Sequence, residues 1–249
     1  MLYILLFVLG AAWGSFLNVV ACRIEERKSF LGGRSVCAHC GKILHWHDLI
    51  PVASWLLLWG KCRYCRKHFS VQYLLSELGV GALAIFGAFV VAAPIHALTY
   101  FAVVSFFTVL FIYDLRTYVV PDKVVIPAIA VVGLLNSIMV EDDVSLLLGA
   151  AFGGAWFLVQ FLVSRGKWVG GGDIRLGLLM GALLGHPFVW LGLGLAYVGG
   201  SIVALALVAT THATLKSRLP FATLLLPATF AVWIFGEGLW SWYRAFIGV

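Results

Sequence analysis

Two aspartates and four cysteines carry the chemistry that this sequence offers. The stretch Trp168-Val169-Gly170-Gly171-Gly172-Asp173-Ile174-Arg175 runs three glycines into a carboxylate and then into an apolar segment. A charged carboxylate at the edge of hydrocarbon is costly unless paired, hydrated or protonated, so it points to function. The glycines imply an irregular turn, which membrane depth tolerates only beside protein or a water-filled cavity. A second acid, Asp114, closes another apolar run. Two carboxylates facing each other in a partly dry site cannot both ionise easily and share a proton. One can then act as general base on a water and the other as general acid on a scissile amide. No serine or cysteine has a placed histidine beside it as a rival nucleophile. The plainer alternative is that each acid neutralises a nearby base, Arg116 or Arg175. Asp122, in Val120-Pro121-Asp122-Lys123, reads as a helix N-cap or turn residue.

Cys37-Ala38-His39-Cys40 and Cys62-Arg63-Tyr64-Cys65 are two C-x-x-C pairs separated by 21 residues. Reduced thiols at this spacing suit a tetrahedral structural Zn²⁺ held by Cys37, Cys40, Cys62 and Cys65, although the spacer is slightly longer than in a common zinc ribbon. His39, His45, His47 and His68 are competing ligands, and the four cysteines are the simplest set. Cys22 reads as packing at a helix end.

The elements that must position these groups are membrane helices. The chain has 249 residues, of which 62% are hydrophobic and 11% charged, with a mean hydropathy of +1.02. Soluble domains carry about 25% charged residues, which excludes an ordinary soluble fold. The long unbroken apolar runs exclude a β-barrel. The fold class is therefore an all-α polytopic membrane protein with about eight transmembrane helices and a small cytoplasmic zinc-binding domain between helices 1 and 2. The first span covers 2–22, the loop domain 23–72 and a seven-helix membrane core 73–249. The core spans lie near 73–93, 95–114, 124–140, 144–164, 174–185, 188–210 and 220–240. Gly10, Gly14 and Asn18 share one face of the first span. Small residues at that spacing let helices approach closely, and Asn18 needs a hydrogen-bond partner within the bundle. Within the loop, Leu49–Trp59 is apolar but too short to cross, so it lies at the interface or packs on the bundle.

Charge sets the orientation. Residues 23–72 hold nine basic residues against three acids, a surplus of six equal to the formal charge of the whole chain. The positive-inside rule places this loop in the cytoplasm and both termini outside. The connections at 115–123, 165–173 and 211–219 also face inward, while Glu141, Asp142 and Asp143 face outward. Sixteen of the 17 basic residues then lie inside, with Arg244 the exception. Asp114 ends an out-to-in helix and Asp173 begins an in-to-out helix, so both sit at the cytoplasmic edge. Gly177, Gly181 and Gly185 continue the Asp173 face and direct it inward.

These motifs resemble the prepilin leader peptidases, bifunctional peptidase/methyltransferases of type 4 pilus and type II secretion systems. Gly14-Ser15-Phe16-Leu17-Asn18 is similar to the family's N-terminal G-S-F-x-N, and the four cysteines to its zinc domain. Asp48-Leu49-Ile50-Pro51 with Ser54-Trp55 resembles its inter-cysteine segment, and Gln72-Tyr73 with Glu77 its Y-x-x-x-E motif. Asp114 with Val120-Pro121-Asp122 is similar to the first catalytic motif, and Gly170-Gly171-Gly172-Asp173 to the second, G-x-G-D. Two departures stand out. Arg175 replaces the usual Lys, and Pro220-Phe221-Ala222-Thr223 lacks the Gly and second Pro of a P-F-G-P stretch.

The resemblance implies a bacterial inner-membrane aspartyl peptidase with Asp114 and Asp173 as catalytic acids. The substrates implied are prepilins or pseudopilins, each with a basic leader followed by a hydrophobic helix. Cleavage follows a leader glycine on the cytoplasmic side, and the new N-terminus is then methylated from S-adenosylmethionine. No glycine-rich nucleotide loop follows a strand, so the methyl-transfer half rests on the resemblance alone, with Glu77 and the loop 23–72 as its candidates. Membrane lipid is the other expected partner, with no nucleic acid. A contrasting reading is a transporter or channel with intramembrane acids and a zinc-bound docking loop.

Overall fold

The computed structural model describes residues 1–29, 32–140, 142–210 and 219–248. Glu141 and the connection bearing Lys216 and Arg218, both used in the charge count, lie outside the described residues. Among the described residues the chain is helical, with only two isolated β-bridges. Among the described residues seven helices are long and apolar enough to cross a membrane. The chain forms two compact units, Met1–Ala93 and Pro94–Val249.

In the first unit, α1 (Leu2–Glu25) packs along α3 (Val71–Val90). Ser70 caps α3 by accepting the Gln72 N–H at 3.2 Å. The helices touch closely because Gly10 and Gly14 lack side chains. A Cβ on Gly10 would meet the Ala84 methyl at 2.5 Å, and one on Gly14 the Ser76 carbonyl at 2.5 Å. Asn18 is fully buried in this seam, and its Oδ1 accepts from Gln72 Nε2 at 2.7 Å. The loop between the two helices contains a single 3₁₀ turn, Trp46–Asp48, and the short α2 (Ala53–Leu57).

The second unit holds α4 (Pro94–Thr117), α5 (Asp122–Val140), α6 (Asp143–Ser164), α7 (Gly171–Leu184), α8 (Phe188–Thr210) and α9 (Ala222–Ile247). α7 is its centre: Leu176, Leu179, Met180 and Leu183 are buried, and α5, α6, α8 and α9 all pack on it. At 14 residues it spans only about 21 Å, short of a hydrocarbon core of about 30 Å. Its last carbonyls would be orphaned at that depth. Asn136 of α5 resolves this, donating from Nδ2 to the carbonyls of Ala182 at 3.1 Å and Leu183 at 2.8 Å. Ser145 of α6 secures the following turn, its hydroxyl donating to the His186 carbonyl at 2.7 Å.

The inward stripe on α7 has a matching stripe on α6. A Cβ on Gly177 would fall on the Gly153 carbonyl, and one on Gly181 on the Gly149 carbonyl. The backbones are thus in direct contact. Gly181→Ala is expected to cost about 1–3 kcal/mol by overpacking and to lower the melting temperature in detergent. Gly194→Ala, whose Cβ would enter open space, should leave that temperature unchanged.

Candidate active site and metal centre

Asp114 lies in the last turn of α4 and Asp173 in the first turn of α7. Both helices reach further than the sequence suggests. α4 continues to Thr117, whose hydroxyl donates to the Tyr113 carbonyl at 2.8 Å. α7 begins at Gly171, which makes Asp173 its third residue rather than its first. Asp114 is 3% exposed, and its Oδ2 accepts from the Thr223 N–H at 3.1 Å. Thr223 is the second residue of α9. The carboxylate therefore sits on a helix N-terminus, where unpaired N–H groups and the helix dipole favour negative charge. Asp173 makes the same use of its own helix, its Oδ2 accepting from the Gly170 N–H at 2.7 Å.

The two acid-bearing segments are held together. The chain after α4 is pressed against the start of α7, so that a Cβ on Gly172 would lie 2.8 Å from the Val120 Cβ. Gly170 is different, since its nearest neighbour would be Asp173 Oδ2 at 3.7 Å. Arg175 Nη1 contacts Asp122 Oδ1 at 2.6 Å. Arg175, which the plainer alternative would set against one of the acids, thus pairs with Asp122, the first residue of α5. Both side chains are exposed, so this bridge contributes about 0–1 kcal/mol and chiefly fixes α5 against α7.

The four cysteines converge in the loop of the first unit. Their sulfurs all lie within 4.8 Å of one another, and Cys37 Sγ is 3.9 Å from Cys65 Sγ. Zn–S bonds of about 2.3 Å in a tetrahedron place sulfurs about 3.8 Å apart, so the set fits zinc. Among the described residues no histidine joins the cluster. Each C-x-x-C pair forms a knuckle. The Gly41 N–H donates to the Cys37 carbonyl at 2.8 Å, and the Arg66 N–H to the Cys62 carbonyl at 2.9 Å. Gly41 and Arg66 are both left-handed, with φ of 69° and 60°. Burial disfavours the Cys62 thiolate, but the Cys65 and Tyr64 N–H groups and the neighbouring thiols outweigh this and bring it down to about 7.

Asp48 ties the inter-cysteine segment to the second knuckle. It accepts from Arg63 Nε at 2.7 Å, the Tyr64 hydroxyl at 3.0 Å and the His45 N–H at 3.2 Å. Burial works against its charge, yet these donors and His47 prevail and hold the carboxyl below the usual range. Glu77, buried on α3, accepts from the Val52 N–H at 2.7 Å, with the Ser15 hydroxyl also directed at it. Asn18 Nδ2, in the same unit, is buried without a partner among the described residues.

Val120 and Thr223 lie in stretches that the resemblance singled out, but the roles they and Asn136 take carried no readable sequence signal. Thr223 acts through its backbone N–H, 109 positions from Asp114. Val120 acts by pressing on a glycine, and Asn136 lies within an unmarked apolar run. The Asp122–Arg175 pair was open to guessing only as one of several pairings.

The comparisons with known proteins follow the same division of the chain. The Bacterial Peptidase A24 N-terminal domain matches residues 8–91, and the Type IV leader peptidase family matches residues 101–209. A prepilin leader peptidase/N-methyltransferase of Bacillus subtilis is 27% identical over 242 residues, covering 96% of each chain. One of Vibrio cholerae is 31% identical over 214 residues, covering 75% of this chain and 79% of the relative. One of Myxococcus xanthus is 33% identical over 218 residues, covering 84% of this chain and 64% of the relative. No solved structure matches. Similarity of this extent decides between the peptidase and transporter readings in favour of the former. The chain therefore belongs to the type IV leader peptidase family, alongside the prepilin leader peptidase/N-methyltransferases.

Proposed function

We propose that this enzyme removes the leader from a prepilin or pseudopilin by two-aspartate acid–base catalysis and then N-methylates the new N-terminus. The observation that carries the reading is that the segment after Asp114 packs on the start of the Asp173 helix, with each acid on a helix N-terminus. The pair shares one proton. The unprotonated carboxylate takes a proton from water as the water oxygen bonds to the scissile carbonyl carbon. The protonated partner gives its proton to the leaving nitrogen as the C–N bond breaks, which leaves the proton count of the pair unchanged. The chemistry needs no thiol or activated serine, so thiol- and serine-directed reagents leave cleavage intact.

The charge distribution supports cleavage at the cytoplasmic face of the inner membrane, with both termini outside. A reporter fused after Val249 that reads cytoplasmic would overturn that orientation. The loop at 23–72 carries a structural Zn²⁺ on Cys37, Cys40, Cys62 and Cys65. Glu77 belongs to the methyl-transfer half. Support comes from its burial as a carboxylate on an otherwise apolar helix of the first unit, where Asn18 Nδ2 is also buried and unpaired among the described residues. S-adenosylmethionine supplies an activated methyl group when bound.

Incubation of the purified enzyme with a prepilin, followed by mass spectrometry, reads leader loss and methyl gain separately. An unaltered prepilin would refute the assignment. The glycines make a sharper test. Gly172→Ala forces its Cβ onto Val120 and displaces Asp173, which should slow cleavage about 10–100-fold. Gly170→Ala meets only an ordinary contact and should stay near the wild-type rate.

A further inference from the structure

The loop of the first unit presents an apolar tip that its own packing does not use. Trp55 turns inward, its ring against Gly60, where a Cβ would come within 2.7 Å. The next residues do the opposite. Leu57 is 79% exposed and Trp59 82%, with Leu56 also exposed. α2 therefore has one packed side and one bare side.

The level of that bare side is fixed by a hydrogen bond. Val52 immediately precedes α2, and its N–H donates to Glu77 Oε2 at 2.7 Å. Glu77 lies six residues beyond Val71, the first residue of α3, which is about 9 Å along the helix axis. α3 is one of the seven membrane-length apolar helices. The start of α2 is thus drawn below the loop end of a spanning helix, to the depth at which interfacial helices lie. Val52 makes the turn there with φ 62° and ψ −53°, and the Ala53 N–H donates to the Pro51 carbonyl at 2.6 Å. A φ-positive γ-turn is rare, and rarer still at a β-branched residue. The fold holds it where it reverses the chain at that level.

Charge selects the occupant. Lys61, Arg63, Arg66 and Lys67 follow Trp59 directly, in a loop with nine bases against three acids. Arg66 and Lys67 are exposed. An exposed Leu-Leu-Trp tip backed by bases matches a surface of anionic lipid. It does not match a basic peptide, which these residues would repel. We propose that α2 and Trp59 form a monotopic anchor that seats the metal-binding loop in an anionic lipid surface.

The test uses the full chain in nanodiscs of phosphatidylcholine and phosphatidylglycerol, with a prepilin added. p-Benzoylphenylalanine replaces Leu57, Trp59 or, as the control, the exposed His39. Photolysis should yield lipid adducts at positions 57 and 59, about ten-fold above position 39, with phosphatidylglycerol over-represented among them. Adducts to the chain itself or to the prepilin, or equal lipid labelling at position 39, would overturn the proposal.

Discussion

Asp114→Asn abolishes leader cleavage, with a rate loss of at least about 10³-fold, while the protein stays folded. The substitution is isosteric, and an amide oxygen still accepts the Thr223 N–H that Asp114 accepts now. What it removes is the capacity to take or give a proton in the transition state, worth about 10²–10⁴-fold per group. Asp173→Asn acts alike, since its Oδ2 only receives the Gly170 N–H. Because the two acids work as a unit, their effects are not additive. The double variant is expected to be no slower than the worse single one. Cleavage assayed beside thermal melting separates this from damage to the fold. Either single variant working at the wild-type rate would sink the dyad, and two multiplying effects would show that the acids act in separate steps.

Cys62→Ser, or a strong chelator, unfolds the loop. Structural zinc in small domains contributes about 10–16 kcal/mol of apparent binding free energy, most of it coupled to folding. This loop has little else: the Trp55 ring on Gly60, the donors around Asp48 and the Val52–Glu77 bond. The expected result is one equivalent of zinc lost and new proteolytic cuts between Cys37 and Cys65. Methylation should fall further than cleavage, because the proposed acid–base step needs no metal. The sign with pH is fixed as well. Metal binds thiolates, so acidification favours release and alkaline pH favours retention. Unchanged proteolysis after complete metal removal would show the loop to be self-supporting.

Features with local causes were legible in the sequence. Apolar runs of membrane length report themselves through hydropathy alone, and seven of the predicted spans correspond to long helices. The C-x-x-C pairs announced their cluster because ligand spacing is a local property. The glycines before Asp173 marked a turn. Pairings remained hidden. The glycines of α6 stand in plain view, yet nothing in their spacing says that Gly149 meets Gly181 and Gly153 meets Gly177. The Thr223 donor is a backbone group, identical in every residue but proline, so no side-chain pattern encodes it. Helix ends slipped by a few residues because capping, not hydropathy, decides them. Thr117 prolongs α4 by bonding back to Tyr113, and Gly171 starts α7 ahead of its acid.

The two cysteine knuckles are copies of one another in backbone and differ in use. Val36 bridges Ile43 and Lys61 bridges His68, and a left-handed residue, Gly41 or Arg66, follows the second cysteine of each. An eight-residue backbone module thus occurs twice, at 36–43 and 61–68. The two copies differ in use at the two positions between the cysteines. In the second copy Arg63 and Tyr64 clamp Asp48, whereas in the first copy Ala38 and His39 stand exposed. One copy has its variable pair committed to internal structure, and the other leaves its pair free to change. Divergence at positions 38 and 39 therefore leaves the metal ligands and the Asp48 clamp undisturbed, and the loop can acquire new surface chemistry there while keeping its frame.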